Sequence, residues 1–344
     1  MHLPVQTAAK VWYTIIAFMG VPVNLVAIVI LSRGKCGLST CTTLYLVAMA
    51  AADLLTIIAQ VILRRINIYY FPWNFLRMTP VCKVLYVLRH AARGCSVWFT
   101  VTFTFDRYVA ICCQKLKNKY CTGKSAAVVL TVTGTLVCFK NIPKYFILKP
   151  WVIIDGISWL CIFKSGYFTE PGWVGFDWFD AVSTPLLPFG LILLFNVLTV
   201  KHILVASRVR KGLRGQNKGE KSSDPEMESR RRSIILLFTL SSSFILLWLL
   251  YVIDSFFYSI AGIATSDYND AQYIFRYVGV MFLHLSCCTN TFIYAVTQSK
   301  FREQIKIMTI LQTINTTTDV HVTCKLIDQT TAIHIQILNG HDKQ

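Results

Sequence analysis

Apolar residues gather into seven stretches of about 20 residues or more, each long enough to cross a bilayer as a helix. The windows 11–32, 42–64, 80–113, 125–147, 179–206, 232–259 and 272–297 therefore predict an all-α bundle of seven transmembrane spans. The third window organises the rest. Between Cys82 and Cys113, residues Leu85, Leu88, Val97, Trp98, Phe99, Val101, Phe103 and Phe105 keep the helix apolar on nearly every face, as burial among other helices in lipid requires. Polarity breaks in at Arg89, His90 and Arg93 and returns at Asp106-Arg107-Tyr108. At about 1.5 Å rise per residue, Cys82 and Arg107 stand roughly 37 Å apart, on opposite sides of a bilayer. Two functional levels follow: a polar pocket at one end and a charged switch at the other.

Composition agrees with a membrane protein and excludes two soluble domains: 54% of residues are hydrophobic, 15% are charged, and mean hydropathy is +0.52. The net charge of +17 does not point to nucleic acid, because the basic residues lie between apolar spans rather than along a solvated face. Cys95, Cys138, Cys287 and Cys288 fall within apolar spans and read as small buried hydrophobes. No paired CxxC suggests zinc. The first thirty residues lack a basic n-region and a cleavage site, so Val11–Leu31 is expected to be a retained span.

An odd number of spans puts the termini on opposite sides. Arg33 and Lys35, Lys115 to Lys124, Arg208 to Arg232, and Lys300, Arg302 and Lys306 share one side, which the positive-inside rule makes cytoplasmic. A plasma-membrane protein with residues 1–10 extracellular and a cytoplasmic C-terminus is predicted. Lys140, Lys144, Lys149 and Lys164 are expected in the opposite loops. The loop 207–231 reads as a flexible linker. Residues 298–312 predict an amphipathic helix on the inner leaflet, with Phe301, Ile305 and Met308 on one face and Arg302 and Lys306 on another. The tail 313–344 is expected to be disordered, with Ser/Thr sites a kinase could use. Its Asn315, the one Asn-x-Thr, falls on the inner side, so no N-linked sugar is expected.

An ordered set of motifs then narrows the class. Gly20-Val21-Pro22-Val23-Asn24, Leu46 through Asp53, Asp106-Arg107-Tyr108-Val109-Ala110-Ile111, Pro188, Phe244 with Trp248, and Asn290 through Tyr294 occur in that order. Residues from about 11 to 310 thereby resemble the rhodopsin-like G-protein-coupled receptors. The resemblance implies a disulfide between Cys82 and Cys161. It implies a switch of Asp106, Arg107, Tyr108, Phe244, Trp248, Asn290 and Tyr294, in which Arg107 pairs with Asp106 at rest and faces a G protein when released. Phe244 and Trp248 would repack beside Val97 and Pro188. Asp53, with Ser96, Ser286 and Asn290, would help hold a sodium ion; the plainer reading is a hydrogen-bonded core acid. No other cofactor is expected. Several positions depart from the family pattern: Leu250 and Thr291 stand where prolines are usual, Asn196 where a tyrosine is, Gln114 where a proline is, and span four has no tryptophan. Arg230 stands at the foot of span six where an acid often pairs with Arg107, so a loose resting lock and basal activity are expected.

For the ligand, Arg64, Arg65, Arg89, His90 and Arg93 cluster by depth, and Arg89 and Arg93 lie four apart on one helical face. Like-charge repulsion disfavours an amine, whereas a carboxylate or phosphate matches an arginine fork. Two readings stay open: an anionic ligand, or internal neutralisation by Asp180 or Asp254. Tyr86, Trp178, Tyr251 and Phe257 are expected to line the same cavity. Asn196, Leu213-Arg214-Gly215, the proline-free 290–294 stretch and the short N-terminus are similar to an orphan-receptor subgroup responding to aromatic amino acids. Tyr251 and Arg89 depart from that subgroup, so its ligand is not carried over.

The expected function is therefore conversion of small-ligand binding into activation of a heterotrimeric G protein, the Gq class by analogy, with arrestin and receptor kinases as further partners and lipid as surroundings. A transporter or channel and a non-signalling decoy are the alternatives. No nucleophile, base and orienter set and no phosphate loop points to an enzyme.

Overall fold

The computed structural model describes residues 2–71, 73–214, 225–261 and 268–310, and structural statements below concern these residues. Six helices are long and apolar enough to cross a membrane: Val5–Ser32, Thr40–Tyr70, Gly123–Tyr145, Pro171–Arg208, Arg231–Phe257 and Asp270–Thr297. The seventh long helix, Thr79–Cys112, is third in chain order. Its own Lys83, Arg89, Arg93, Asp106 and Arg107 lower its apolarity. It lies at the centre, packing against spans two, four, five and six. A central helix can carry those charges because its neighbours, rather than lipid, surround them. Side chains such as Phe18, Val128, Leu136 and Leu246 point outward fully or largely exposed, as the lipid-facing surface of a bundle demands.

The elements differ from the plain windows in informative ways. Span one begins at His2 rather than at residue 11 and continues through Pro22 to Ser32. Span two starts at an N-cap where the Ser39 hydroxyl accepts from the Thr42 N–H (3.2 Å), then changes from α to π geometry over Ile57–Ile66. The wider π turn shifts the phase of everything after it and brings Arg64 and Arg65 together onto the cavity. Span four ends in a tight turn, Ile142–Tyr145, so Lys140 and Lys144 belong to its end and are part of the bundle rather than free loop cations. Span five changes to π geometry at Val182–Leu186 around Pro185. With Leu250 and Thr291 in place of prolines, span six runs from Pro225 to Ala261 and span seven from Asp270 to Thr297 without an interior proline.

Between spans four and five, the chain forms two small antiparallel pairs. β1 (Leu148–Lys149) pairs with β4 (Ile162–Phe163), and β2 (Val152–Ile154) pairs with β3 (Ile157–Trp159). The turn between β2 and β3 is Asp155-Gly156, both at positive φ (50° and 75°), the backbone a two-residue hairpin needs. The disulfide Cys82–Cys161 fastens this loop to the start of span three.

Spans six and seven make the most extensive contact in the bundle. Gly279 permits it: a Cβ there would meet the backbone of Leu250 and Tyr251 at 3.1–3.2 Å. Backbone cannot rotate aside as a side chain can, so Gly279→Leu should separate the two helices. We expect a loss of at least about 1–3 kcal/mol by thermal denaturation, with Gly279→Ala much milder. Equal stability of the leucine variant and wild type would contradict this contact.

Residues 299–310 are helical. Phe301 is buried edge-on to Tyr294 (5.9 Å), Ile305 and Met308 join the same cluster, and the Arg302 guanidinium donates to the Ala295 and Val296 carbonyls that end span seven. The expectations for the tail, for Asn315 and for Gly215 lie outside the described residues, as does part of the 207–231 linker.

Candidate functional site

At the Cys82 end, a cavity of about 660 Å³ opens between the spans, with Arg64, Arg65, Arg89, His90, Arg93, Tyr86, Tyr251 and Asp254 on its walls. The predicted cationic cluster thus meets in one space. Trp178 and Phe257 do not join it: they are 41% and 61% exposed on the outside of the bundle. Side chains that the sequence reading did not assign complete the lining, among them Gln60, Lys144, Asp177, Arg276 and His284.

Counting these walls, seven Lys and Arg side chains (Arg64, Arg65, Arg77, Arg89, Arg93, Lys144, Arg276) face three carboxylates (Asp177, Asp180, Asp254). The carboxylates are already engaged. Asp180 accepts from Lys140 (2.8 Å) and Lys144 (2.7 Å). Asp254 accepts from Arg276 (3.1 Å) and the Tyr268 hydroxyl (3.2 Å), and Asp177 from the Tyr167 hydroxyl (2.7 Å). Neutralisation of the arginine cluster by Asp180 or Asp254 is therefore not what is found. Among the described residues, no carboxylate forms an ion pair with Arg64, Arg65, Arg89 or Arg93.

Aromatic rings face three of those arginines instead. Arg89 lies over the Tyr86 ring at 4.1 Å, Arg93 over Tyr251 at 5.3 Å, and Arg65 between Tyr13 and Tyr277 at 5.3 and 5.6 Å. Ring quadrupoles offset part of a guanidinium's desolvation but do not take the place of an acceptor for each N–H donor. The Nε groups of Arg89 and Arg93 are buried with no hydrogen-bond partner. Below them, Gln60 donates to the Arg89 carbonyl (2.8 Å) and its amide oxygen meets His284 Nε2 (3.0 Å). His284 and Gln60 were legible as single polar residues inside apolar spans, where a polar group is costly and rarely idle.

Midway along the bundle, Asp53 is buried and accepts from the Ser96 hydroxyl and from Asn290 Nδ2 (2.7 Å). Ser286, expected at the same acid, turns elsewhere: its hydroxyl accepts from Trp248 Nε1 (3.0 Å) and donates to the Leu283 carbonyl (2.6 Å). That bond ties span seven to the aromatic pair on span six. Phe244 and Trp248 stack at 4.9 Å, in a cluster with Val97, Ile192 and Leu283, while Pro188 is buried on span five.

At the opposite end, Arg107 pairs with Asp106, both buried. Asp106 also accepts from the Cys41 thiol (3.2 Å). Arg107 also donates to the Ser233 hydroxyl of span six at 3.4 Å, and the expectation placed on Arg230 falls on a side chain outside those described. Tyr108 stacks on Phe195 at 5.8 Å, and the buried Tyr294 hydroxyl has no partner. Of the four cysteines read as buried hydrophobes, Cys287 and Cys288 are buried, Cys95 is partly so, and Cys138 is exposed on the outer face of span four.

Six helices around a charge-bearing third, a roofed cavity at one end and a buried Asp-Arg pair at the other define a heptahelical membrane receptor. The pattern of the seven-transmembrane receptors of the rhodopsin family matches residues 23–294. The chain belongs to that family, whose members are signalling receptors acting through G proteins rather than enzymes.

Proposed function

We propose that this receptor binds a small anionic ligand, a carboxylate with an apolar or aromatic body, and couples that binding to nucleotide exchange on a heterotrimeric G protein. One observation carries the reading. Four arginines wall a single cavity without a carboxylate partner, and two of their Nε donors are buried and unfilled, while the cavity's acids are engaged elsewhere. A bound carboxylate supplies the acceptors that these donors lack. Tyr86 and Tyr251 supply the apolar contact. The side with the Cys82–Cys161 disulfide is extracellular in this proposal, as disulfides form in oxidising surroundings, and the lysine-rich side is cytoplasmic.

Ligand at Arg93 pulls on Tyr251, which meets Trp248 edge-on at 5.8 Å, and Trp248 is bonded to Ser286. A chain of packed groups thus joins the cavity to span six. A ligand shifts span six only to the extent that it binds the two arrangements differently. Opening at the other end exposes Arg107 to the G protein, Gq by analogy, and later to receptor kinases and arrestin. At Asp53, the carboxylate and the Ser96 hydroxyl are the hard oxygen donors that would hold a sodium ion, while Ser286 is turned to Trp248 and Leu283 and Asn290 presents its Nδ2. When bound, the ion would neutralise the buried carboxylate. The helix at 299–310 lies on the inner leaflet in this reading, its Phe301 face turned to the bundle.

Purified receptor screened by thermal shift against mono- and dicarboxylates and the corresponding amides tests the ligand class. A ligand at a hundred times its Kd should add about 2.7 kcal/mol of stability. Acids should stabilise wild type, amides should not, and the Arg89→Ala, Arg93→Ala receptor should lose the shift. Equal shifts from an acid and its amide, or an unchanged shift in the variant, would overturn the proposal.

A further inference from the structure

A second cavity, of about 550 Å³, lies between spans five and six on the outside of the bundle, toward the Arg107 end. Leu193, Val197, Val200, Leu204 and Val205 form its span-five wall, and Phe238, Ser242 and Ile245 its span-six wall. The exposed positions recur at helical spacing, so they make one apolar trough facing lipid. Two cations border it on the same seam, Lys201 and Arg208, both exposed and without an ion pair among the described residues. One more group is unsatisfied. Asn196, only 9% exposed, lines the trough, donates through Nδ2 to the Ile192 carbonyl (2.7 Å) and leaves its Oδ1 buried with no donor.

We propose that this trough binds a single-chain anionic phospholipid with a free glycerol hydroxyl. The acyl chain lies along Leu193, Val197 and Ile245, the phosphate sits between Lys201 and Arg208, and the glycerol hydroxyl donates to Asn196 Oδ1. Three features select this chemistry together. The walls need an alkyl chain, the seam needs negative charge, and the orphaned acceptor needs a donor a few ångströms from that charge. A zwitterionic lipid leaves the two cations unmatched, and a diacyl lipid has an ester where the hydroxyl is needed. Because the trough is walled by span six as well as span five, its occupant bears on the element that must move in signalling.

Native mass spectrometry of the purified full chain, incubated with oleoyl lysophosphatidate, oleoyl lysophosphatidylcholine or dioleoyl phosphatidate, tests this. Wild type should retain one lysophosphatidate with roughly tenfold or greater preference over the choline lipid. Lys201→Gln with Arg208→Gln should abolish that preference, and Asn196→Leu should abolish the preference for lysophosphatidate over diacyl phosphatidate. Equal retention of the acid and choline lipids by wild type overturns the proposal whether or not a variant purifies. So does unchanged preference in the double variant, or a receptor dimer that Val197→Trp dissolves, which would assign the trough to a second copy of the chain.

Discussion

Asp180→Asn should destabilise the folded receptor by about 3–5 kcal/mol, the usual result of removing one partner from a buried ion pair. Asp180 closes two pairs at once, taking Lys140 on one oxygen and Lys144 on the other; all three side chains are at most 17% exposed. Thr184 and Ser183 accept further bonds from Lys140 (2.6 and 3.1 Å), but neutral hydroxyls do not offset a second buried ammonium. This cluster locks the end of span four to the π turn of span five. Thermal denaturation of purified wild type and variant reads the loss directly. Replacing Lys140 and Lys144 by methionine in the Asp180→Asn background should recover much of it, because the cost lies in unmatched charge rather than in lost attraction. A variant within about 1 kcal/mol of wild type would show that these lysines reach water after all.

Asp106→Asn should raise ligand-free nucleotide exchange several-fold. Arg107 is buried, and its counter-charge is Asp106, the arrangement that the proposed function takes as resting. Without that charge, the tie to span six among the described side chains is a long bond to the Ser233 hydroxyl, much weaker than a charge-assisted pair. The resting state therefore loses more than an open state in which Arg107 meets water or a partner. Each 1.4 kcal/mol of difference shifts the balance tenfold. Exchange by purified G protein, with and without receptor in the same vesicles, measures this. An Asp106→Asn receptor that is folded but no more active than wild type would mean that the pair does not hold the resting state. Ser233→Ala should act in the same direction with a smaller effect.

Much of this was legible in the sequence because bilayer thickness dictates span length and a buried charge must be answered. The seven spans, the central charged third helix and the Asp106–Arg107 pair follow from those two constraints, whereas the Cys82–Cys161 link came only from the family resemblance. What was not legible concerns rotation about helix axes. A span that is apolar all round has no preferred face in its pattern, so Trp178 and Phe257 looked as suited to the cavity as Tyr86 and Tyr251. The π geometry over Ile57–Ile66 shifts the phase by local hydrogen bonding that no residue in IIAQVILRRI announces. Ser286 illustrates a finer limit. It sits at the right depth for Asp53, yet its one proton goes to the Leu283 carbonyl and it accepts from Trp248 Nε1. The partners of Asp180 were missed for a different reason: Lys140 and Lys144 were assigned to a solvated loop, where cations need no explanation. By contrast, Asp155-Gly156 carries a strong hairpin signal that an account in terms of spans alone passes over.

The central claim is that anionic occupancy of the arginine cavity is transmitted to the Arg107 end. Ligand-stimulated nucleotide exchange, on one heterotrimeric G protein reconstituted with the receptor in vesicles, tests it most directly when a carboxylate from the thermal-shift screen is applied to wild type and to Arg89→Ala, Arg93→Ala. Wild type should accelerate exchange, and the variant should retain only its ligand-free rate. Binding without any change in exchange would make the chain a decoy, carboxylate flux across vesicles lacking G protein would make it a transporter, and either result would contradict the account.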